Sequence, residues 1–294
     1  MRVRVVLAVF ATLVVLAVGG VYLLVHKIGS GLPVPVLTQS CTVTSAGEVV
    51  LDPDQMANAA TIAAVGITRR VPEHAVVIAL ATAAQESKWR NLSGGDRDSV
   101  GLFQQRPSQG WGRADQIADP RYAAGRFYTA LLKVKGWQTM ALGTAAQRVQ
   151  RSADADGSAY ARWEDQAKIL ASALTGDTGS AVACTIIDQP SRRGTAAVVA
   201  LAHDVTLDWG HIKATSTSGP IGVQLTVPSP RTGWQYAHWL VAHAADQGIK
   251  SVSFGNQRWT AKAGAWTGTP SAGTAANGTA STGTHVTAEV YADR

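Results

Sequence analysis

The chain has 294 residues, room for about two domains. It is 46% hydrophobic and only 16% charged, with a net charge of +6. The basic residues are scattered, with no basic block and no arginine–aromatic stripe, which argues against nucleic-acid binding. On an exported protein such a charge would favour anionic wall polymers.

Arg2 and Arg4 precede an uncharged apolar run from Val5 to Val25. A run of that length crosses roughly 30 Å of hydrocarbon. No small-x-small cleavage site follows at His26-Lys27-Ile28-Gly29, so residues 1–28 read as an uncleaved transmembrane signal anchor rather than a removed signal peptide. The two arginines are expected to stay in the cytoplasm, which places the chain after the span on the outer side of the membrane. Residues 29–40, with Pro33 and Pro35, read as an extended linker.

A mostly helical domain is expected over 41–184. Asp52-Pro53-Asp54 opens a helix to about Val65, and Pro72 opens another that ends near Trp89. Asp119-Pro120 starts a third, to Val134. A short helix is expected at Thr144–Gln150 and a longer one from Ser158 to Leu174, with a strand or hairpin near Val100–Gln105. Thr178 to Ala196 reads as a linker, the domain boundary falling at 185–196. Residues 197–294 read as a small α+β module. Its expected strands are Val198–Leu201, Gly222–Val227, Lys250–Phe254 and His285–Tyr291, with a helix at Gly233–Ala245. Gly264–Thr284 is low-complexity Gly/Ala/Thr/Ser and reads as a loop.

The chain has two cysteines, Cys41 and Cys184, too few for a four-ligand metal site. In an exported chain they are expected to pair. The long loop so closed would constrain the unfolded chain by several kcal/mol.

The chemistry concentrates between Ala79 and Gly112. Glu86 is the one acid set in so apolar a helix. An apolar setting favours the protonated carboxyl group, the form a general acid needs. Residues three, four and seven before it are Ala83, Thr82 and Ala79, all small and on its face. Taken alone, this geometry also fits a helix-end glutamate paired with Arg90. The turn-rich loop Asn91–Ser99 follows, then Gly101-Leu102-Phe103-Gln104-Gln105 and Trp111. Amide hydrogen-bonders beside a flat aromatic face are a combination that binds sugars.

Gln85-Glu86-Ser87 followed by Gly101-Leu102-Phe103-Gln104 resembles the Glu-Ser and Gly-Leu-Met-Gln signatures of lytic transglycosylases in the lysozyme-like superfamily. The strings AAQESKWRNLSGGDRDSVGLFQQRPSQGWG, DPRYAA and AAQRVQRSA resemble a group of actinobacterial membrane-anchored proteins with that domain. The resemblance covers residues 41–184, bracketed by the two cysteines. It implies a mainly α, lysozyme-like fold and a peptidoglycan substrate, with no cofactor and no metal. Glu86 matches the single catalytic acid, which donates to the MurNAc–GlcNAc glycosidic oxygen and then takes the 6-hydroxyl proton. Ser87, Gly101, Leu102, Phe103 and Gln104 lie in the matched signatures and, with Gln105 and Trp111 from the reading of the loop, are the candidate substrate-binding residues. The family's Ala-Tyr-Asn-Ala-Gly segment is replaced by Ala146-Gln147-Arg148-Val149-Gln150-Arg151-Ser152, and Tyr160 is the candidate for its aromatic. A hydrolytic lysozyme would need a second acid, for which Asp96 and Asp98 are the candidates. A domain that binds or scaffolds glycan without cutting it is the third reading.

The string GWQYAHWLVAHAADQGIKSVSFGNQRWT resembles a C-terminal module of some actinobacterial wall proteins related to zinc carboxypeptidase-like folds. Where that module carries an acid and a second histidine, this chain has Thr226 and Thr287. His285 alone cannot hold zinc, so the module is expected to be non-catalytic.

Overall fold

The computed structural model describes residues 38–151, 156–268 and 283–293. The expected signal anchor, most of the following linker and most of the Gly264–Thr284 loop lie outside the described residues. The elements described all lie in one compact unit, Gln39–Arg294. Helix is the larger share, 46% against 19% strand, and the strands form two separate sheets. Among the described residues no helix is long and apolar enough to cross a membrane.

Strands β1 (Ser40–Thr44) and β2 (Glu48–Leu51) form a hairpin whose inward face is Cys41, Val43, Val49 and Leu51. Helix α1 (Pro53–Thr68) starts where the sequence signals place it. Gln55 Oε1 accepts the Asp52 N–H at 2.8 Å, and Pro53 occupies the first turn. Helix α2 (Glu73–Ser87) follows Pro72. It is apolar on every side, and all residues from Ala75 to Ala84 are buried, so it runs through the centre of the helical layer.

Short α3 (Ala114–Ile117) leads into α4 (Pro120–Leu131), where the Asp119 side chain accepts the Arg121 N–H at 2.9 Å. Helix α5 (Leu142–Gln150) precedes α6 (Ser158–Ala161) and α7 (Glu164–Leu174). The single helix expected over Ser158–Leu174 is therefore two pieces, broken at Arg162 and Trp163. The strand expected near Val100–Gln105 is one isolated bridge between those two residues.

The stretch read as a linker contains β3 (Val182–Thr185), which pairs antiparallel with β1 in the order β2-β1-β3. Buried Val182 and Cys184 alternate with half-buried Ala183 and Thr185, the two-residue period of a strand covered on one face. Cys41 and Cys184 stand opposite each other across this pair and form the expected disulfide.

Val198–Leu201 is not a strand. It lies inside α8 (Gly194–Trp209), whose buried positions include Ala197, Val198, Leu201, Val205 and Asp208. Four apolar residues do not distinguish the two periods, whereas that longer series has the helical one. Strands β4 (Ala214–Ser218) and β5 (Ile221–Thr226) precede α9 (Pro230–Ala242) and the short α10 (Ala244–Gln247). Then come β6 (Ile249–Phe254), β7 (Gln257–Thr260), β8 (Ala265–Gly268) and β9 (His285–Val290). These six strands make one antiparallel sheet, ordered β4-β5-β9-β6-β7-β8. Helix α9 lies close on β6: a Cβ at Gly233 would sit 2.0 Å from the Phe254 ring, so only glycine fits there.

The segments on either side of residues 185–196 pack directly together. Trp259 Nε1 donates to the Cys184 carbonyl at 3.1 Å, and Trp266 Nε1 donates to that of Val182 at 2.7 Å. Buried His238 on α9 is a second tie. Its Nε2 accepts the Ala181 N–H at 3.0 Å, which requires the proton to be on Nδ1, and Nδ1 donates to the Ala173 carbonyl at 2.8 Å. Trp234 stacks against the ring.

Burial lowers the His238 pKa to about 4 from the ordinary histidine value, with the Ala173 bond opposing. The folded state therefore holds the ring neutral where the unfolded chain would protonate it. This stability is fully present above about pH 6.5 and is lost as the pH falls towards 4, in total about 3 kcal/mol. Denaturant unfolding of wild type and His238→Gln between pH 7.5 and 4 is expected to show wild type losing about that much more than the variant. Parallel pH profiles would contradict this.

Candidate active site

Glu86 sits in the last turn of α2, half-buried, and the helix stops just beyond it. Lys88 and Trp89 both adopt the left-handed conformation, with φ 56° and 55°. This costly pair of residues is held in place by side-chain bonds. Trp89 Nε1 donates back to the Leu80 carbonyl at 3.0 Å, and Asn58 Nδ2 donates to the Trp89 carbonyl at 2.8 Å. The Lys88 ammonium lies 4.1 Å over the Trp163 ring. Burial, then the nearby Arg162 charge, lowers the Lys88 pKa, while the Glu86 charge opposes both.

The loop after the helix is tied to it residue by residue. Ser87 is buried, and its Oγ donates to the Leu102 carbonyl at 2.7 Å, with the Ala83 carbonyl also in reach at 3.1 Å. Gly101 is needed on two grounds: its φ is +78°, and a Cβ would lie 2.8 Å from the Ile117 carbonyl oxygen. Leu102 and Phe103 are fully buried, and Phe103 stacks on Phe127 at 4.7 Å. Gln104 Nε2 donates to the Gly101 carbonyl at 3.1 Å. Gln105 is buried and donates to the Ala123 carbonyl at 3.1 Å. Trp111 is half-buried, and its carbonyl accepts the Tyr122 hydroxyl.

Two donors converge on one oxygen of Glu86. The Tyr160 hydroxyl donates to Oε1 at 2.7 Å, and Gln150 Nε2 donates to the same atom at 3.0 Å. Gln150 Nε2 also reaches the Phe103 carbonyl at 2.7 Å, joining α5, the loop and the carboxylate at one nitrogen. Oε2 takes no hydrogen bond among the described residues. One oxygen is thus anchored, and the other is left to exchange a proton with whatever lies in front of the helix end.

The residues named from the sequence fall into two groups. Glu86, Gln104 and Trp111 keep exposed surface. Ser87, Gly101, Leu102, Phe103, Gln105 and Tyr160 are buried behind them and hold the loop and the carboxylate in position. Arg90 does not pair with Glu86; it bonds Asp52. Gln150 was not singled out by sequence reasoning. The segment Ala146–Ser152 offered several polar side chains and no means of choosing among them.

The two second-acid candidates differ. Asp96 is highly exposed, with Arg97 at 3.9 Å. Asp98 accepts from Arg106 Nε at 2.6 Å, the Ser108 N–H at 2.8 Å and the Ser108 hydroxyl at 3.0 Å. These bonds, Arg106 first, hold its carboxyl group well below the usual carboxylate range. Asp98 is therefore an ionised brace across the loop.

Thr226 and His285 are brought face to face across β5 and β9, with Thr287 opposite Gln224. Glu289 on β9 is engaged by Lys250, Ser251 and Arg258, which lower its pKa against the effect of burial. Among the described residues no group of three or more His, Cys, Asp or Glu side chains is placed to hold a metal ion.

No protein-family model matches the chain, and a search of curated proteins returned no match.

Proposed function

We propose that the protein cleaves peptidoglycan glycan strands by a lytic transglycosylase reaction at the MurNAc–GlcNAc bond, on the outer side of the cytoplasmic membrane. The observation that carries this reading is the asymmetry at Glu86, where Oε1 holds two donors and Oε2 holds none among the described residues. A carboxyl group so held can give and then recover a proton through its unbonded oxygen.

In this mechanism protonated Glu86 gives its proton to the glycosidic oxygen as that bond breaks. The positive charge developing at the anomeric carbon is met by the substrate's own acetamido group. The Glu86 carboxylate then takes the proton of the muramic 6-hydroxyl, whose oxygen closes the 1,6-anhydro ring. Tyr160 and Gln150 keep the carboxyl group aimed throughout. A two-carboxylate hydrolysis is less well supported, since Asp98 is already engaged by Arg106 and Ser108.

Mass spectrometry of peptidoglycan digested by the full chain tests this directly. Anhydro-muropeptides are the expected product. Reducing ends would replace the reading with a lysozyme, and intact strands that still sediment with the protein would replace it with a glycan-binding module.

A further inference from the structure

A cavity of about 640 Å³ opens beside the Glu86 site. Its wall includes Gln150, the residue whose amide bonds Glu86, and Trp111. Four cations line it, Arg126 and Lys133 from the α4 side and Arg148 and Arg151 from the end of α5, and no acid lines it among the described residues. Arg126 is held by one bond, from Nη2 to the Gly110 carbonyl at 2.9 Å, while its buried Nε has no acceptor. Lys133, Arg148 and Arg151 are exposed and enter no ion pair among the described residues. A cation at a helix C-terminus is expected from the helix dipole, which accounts for Arg148 and Arg151 at the end of α5 and for Lys133 just past α4, but not for Arg126.

We infer that this cavity binds the carboxylates of the peptide stem carried by the glycan strand, so that the protein selects strands bearing stems over bare ones. The inference rests on the glycan reading of the Glu86 site and adds to it a subsite and a selectivity. Four cations with no acid beside them among the described residues, one of them with a buried Nε that lacks an acceptor, favour an anionic occupant. The volume falls within the range of sites for small ligands, so it suits a short peptide rather than a polymer. Guanidinium groups pair with carboxylates through two parallel hydrogen bonds, and Trp111 offers an apolar face for the aliphatic parts of the same ligand. Continuity through Gln150 puts this occupant on the strand being positioned at Glu86.

The test uses the full chain with Glu86→Gln to prevent cleavage, with and without Lys133→Gln and Arg148→Gln together. Both positions are exposed, and unchanged thermal midpoints would verify the fold. Binding is measured to stem-bearing strands, to strands stripped of stems by an amidase and then amidated at the lactyl carboxylate so exposed, and to vesicles of anionic phospholipid. Stem-bearing strands should bind roughly tenfold tighter than stripped ones at low salt, with the preference shrinking as salt rises. The charge variant should lose that preference and bind stripped strands as before. Equal binding of both strands, or equal loss on both, would overturn the stem subsite and leave the glycan reading standing. No binding of either strand would overturn both. Vesicle binding that exceeds strand binding, and is lost in the charge variant, would reassign the cavity to lipid headgroups.

Discussion

Replacing Glu86 with glutamine is expected to lower strand cleavage by about a thousandfold or more, with little change in stability. The amide has the shape of the carboxyl group, and its oxygen can accept the Tyr160 and Gln150 bonds now made to Oε1. Its nitrogen then stands where Oε2 stood. An amide nitrogen cannot supply a proton to a leaving sugar oxygen, nor can it recover one from the 6-hydroxyl. The loss should fall on kcat more than on KM, because binding groups are untouched and only the transition state loses its proton transfer. Initial rates of muropeptide release, with denaturation curves of both proteins, check this. A variant retaining more than about a tenth of wild-type kcat would remove Glu86 from the chemistry.

The second large effect concerns the junction between the helical layer and the six-stranded sheet. Asp208 on α8 is completely buried, and its carboxylate gathers donors from three other helices. Arg121 Nε from α4 bonds Oδ1, Trp239 Nε1 from α9 donates to Oδ2 at 2.6 Å, and Thr61 Oγ1 from α1 donates to Oδ2 at 3.1 Å. His243 Nε2 lies 4.0 Å away. Asp208→Ala would leave the Arg121 charge only the weaker Asp204 contact at 3.4 Å, and would leave a buried indole N–H without an acceptor. Removing one partner of a fully buried ion pair costs about 3–5 kcal/mol, and since the Arg121 side chain is 27% exposed the loss here should fall at or below the lower end of that range. Asp208→Asn keeps an acceptor oxygen and should recover part of that loss. Urea denaturation followed by tryptophan fluorescence measures both variants. An Asp208→Ala protein within about 1 kcal/mol of wild type would show that the pair contributes little net stability.

Features set by neighbouring residues were legible in the sequence. Asp52-Pro53 and Asp119-Pro120 begin helices because a cap and a proline act within one turn. The position of Glu86 near the end of an apolar helix follows from a short window, as does the loop glycine at 101. Cys41 and Cys184 were the one pairing the sequence allowed, and β1 and β3 bring them opposite each other. The misread segments were those whose local signal was short. Val182–Thr185 is a strand because β1 provides its partner, and Val198–Leu201 is helical because its neighbours extend the period.

Only the tertiary structure decided what surrounds the acid. Gln150 and Tyr160 are 64 and 74 residues from Glu86 along the chain, and many polar side chains lie as far away. Which of them meets the carboxylate depends on how α5 and α6 pack against α2, a result of side-chain shape summed over the whole core. The same holds for Asp208 and Arg121, 87 residues apart, and for the four cations brought into one cavity from α4, α5 and the residues just past their ends. Backbone hydrogen bonds within a helix link residues close in sequence, so composition and spacing reveal them. Side-chain bonds across a core link residues that only the fold makes neighbours.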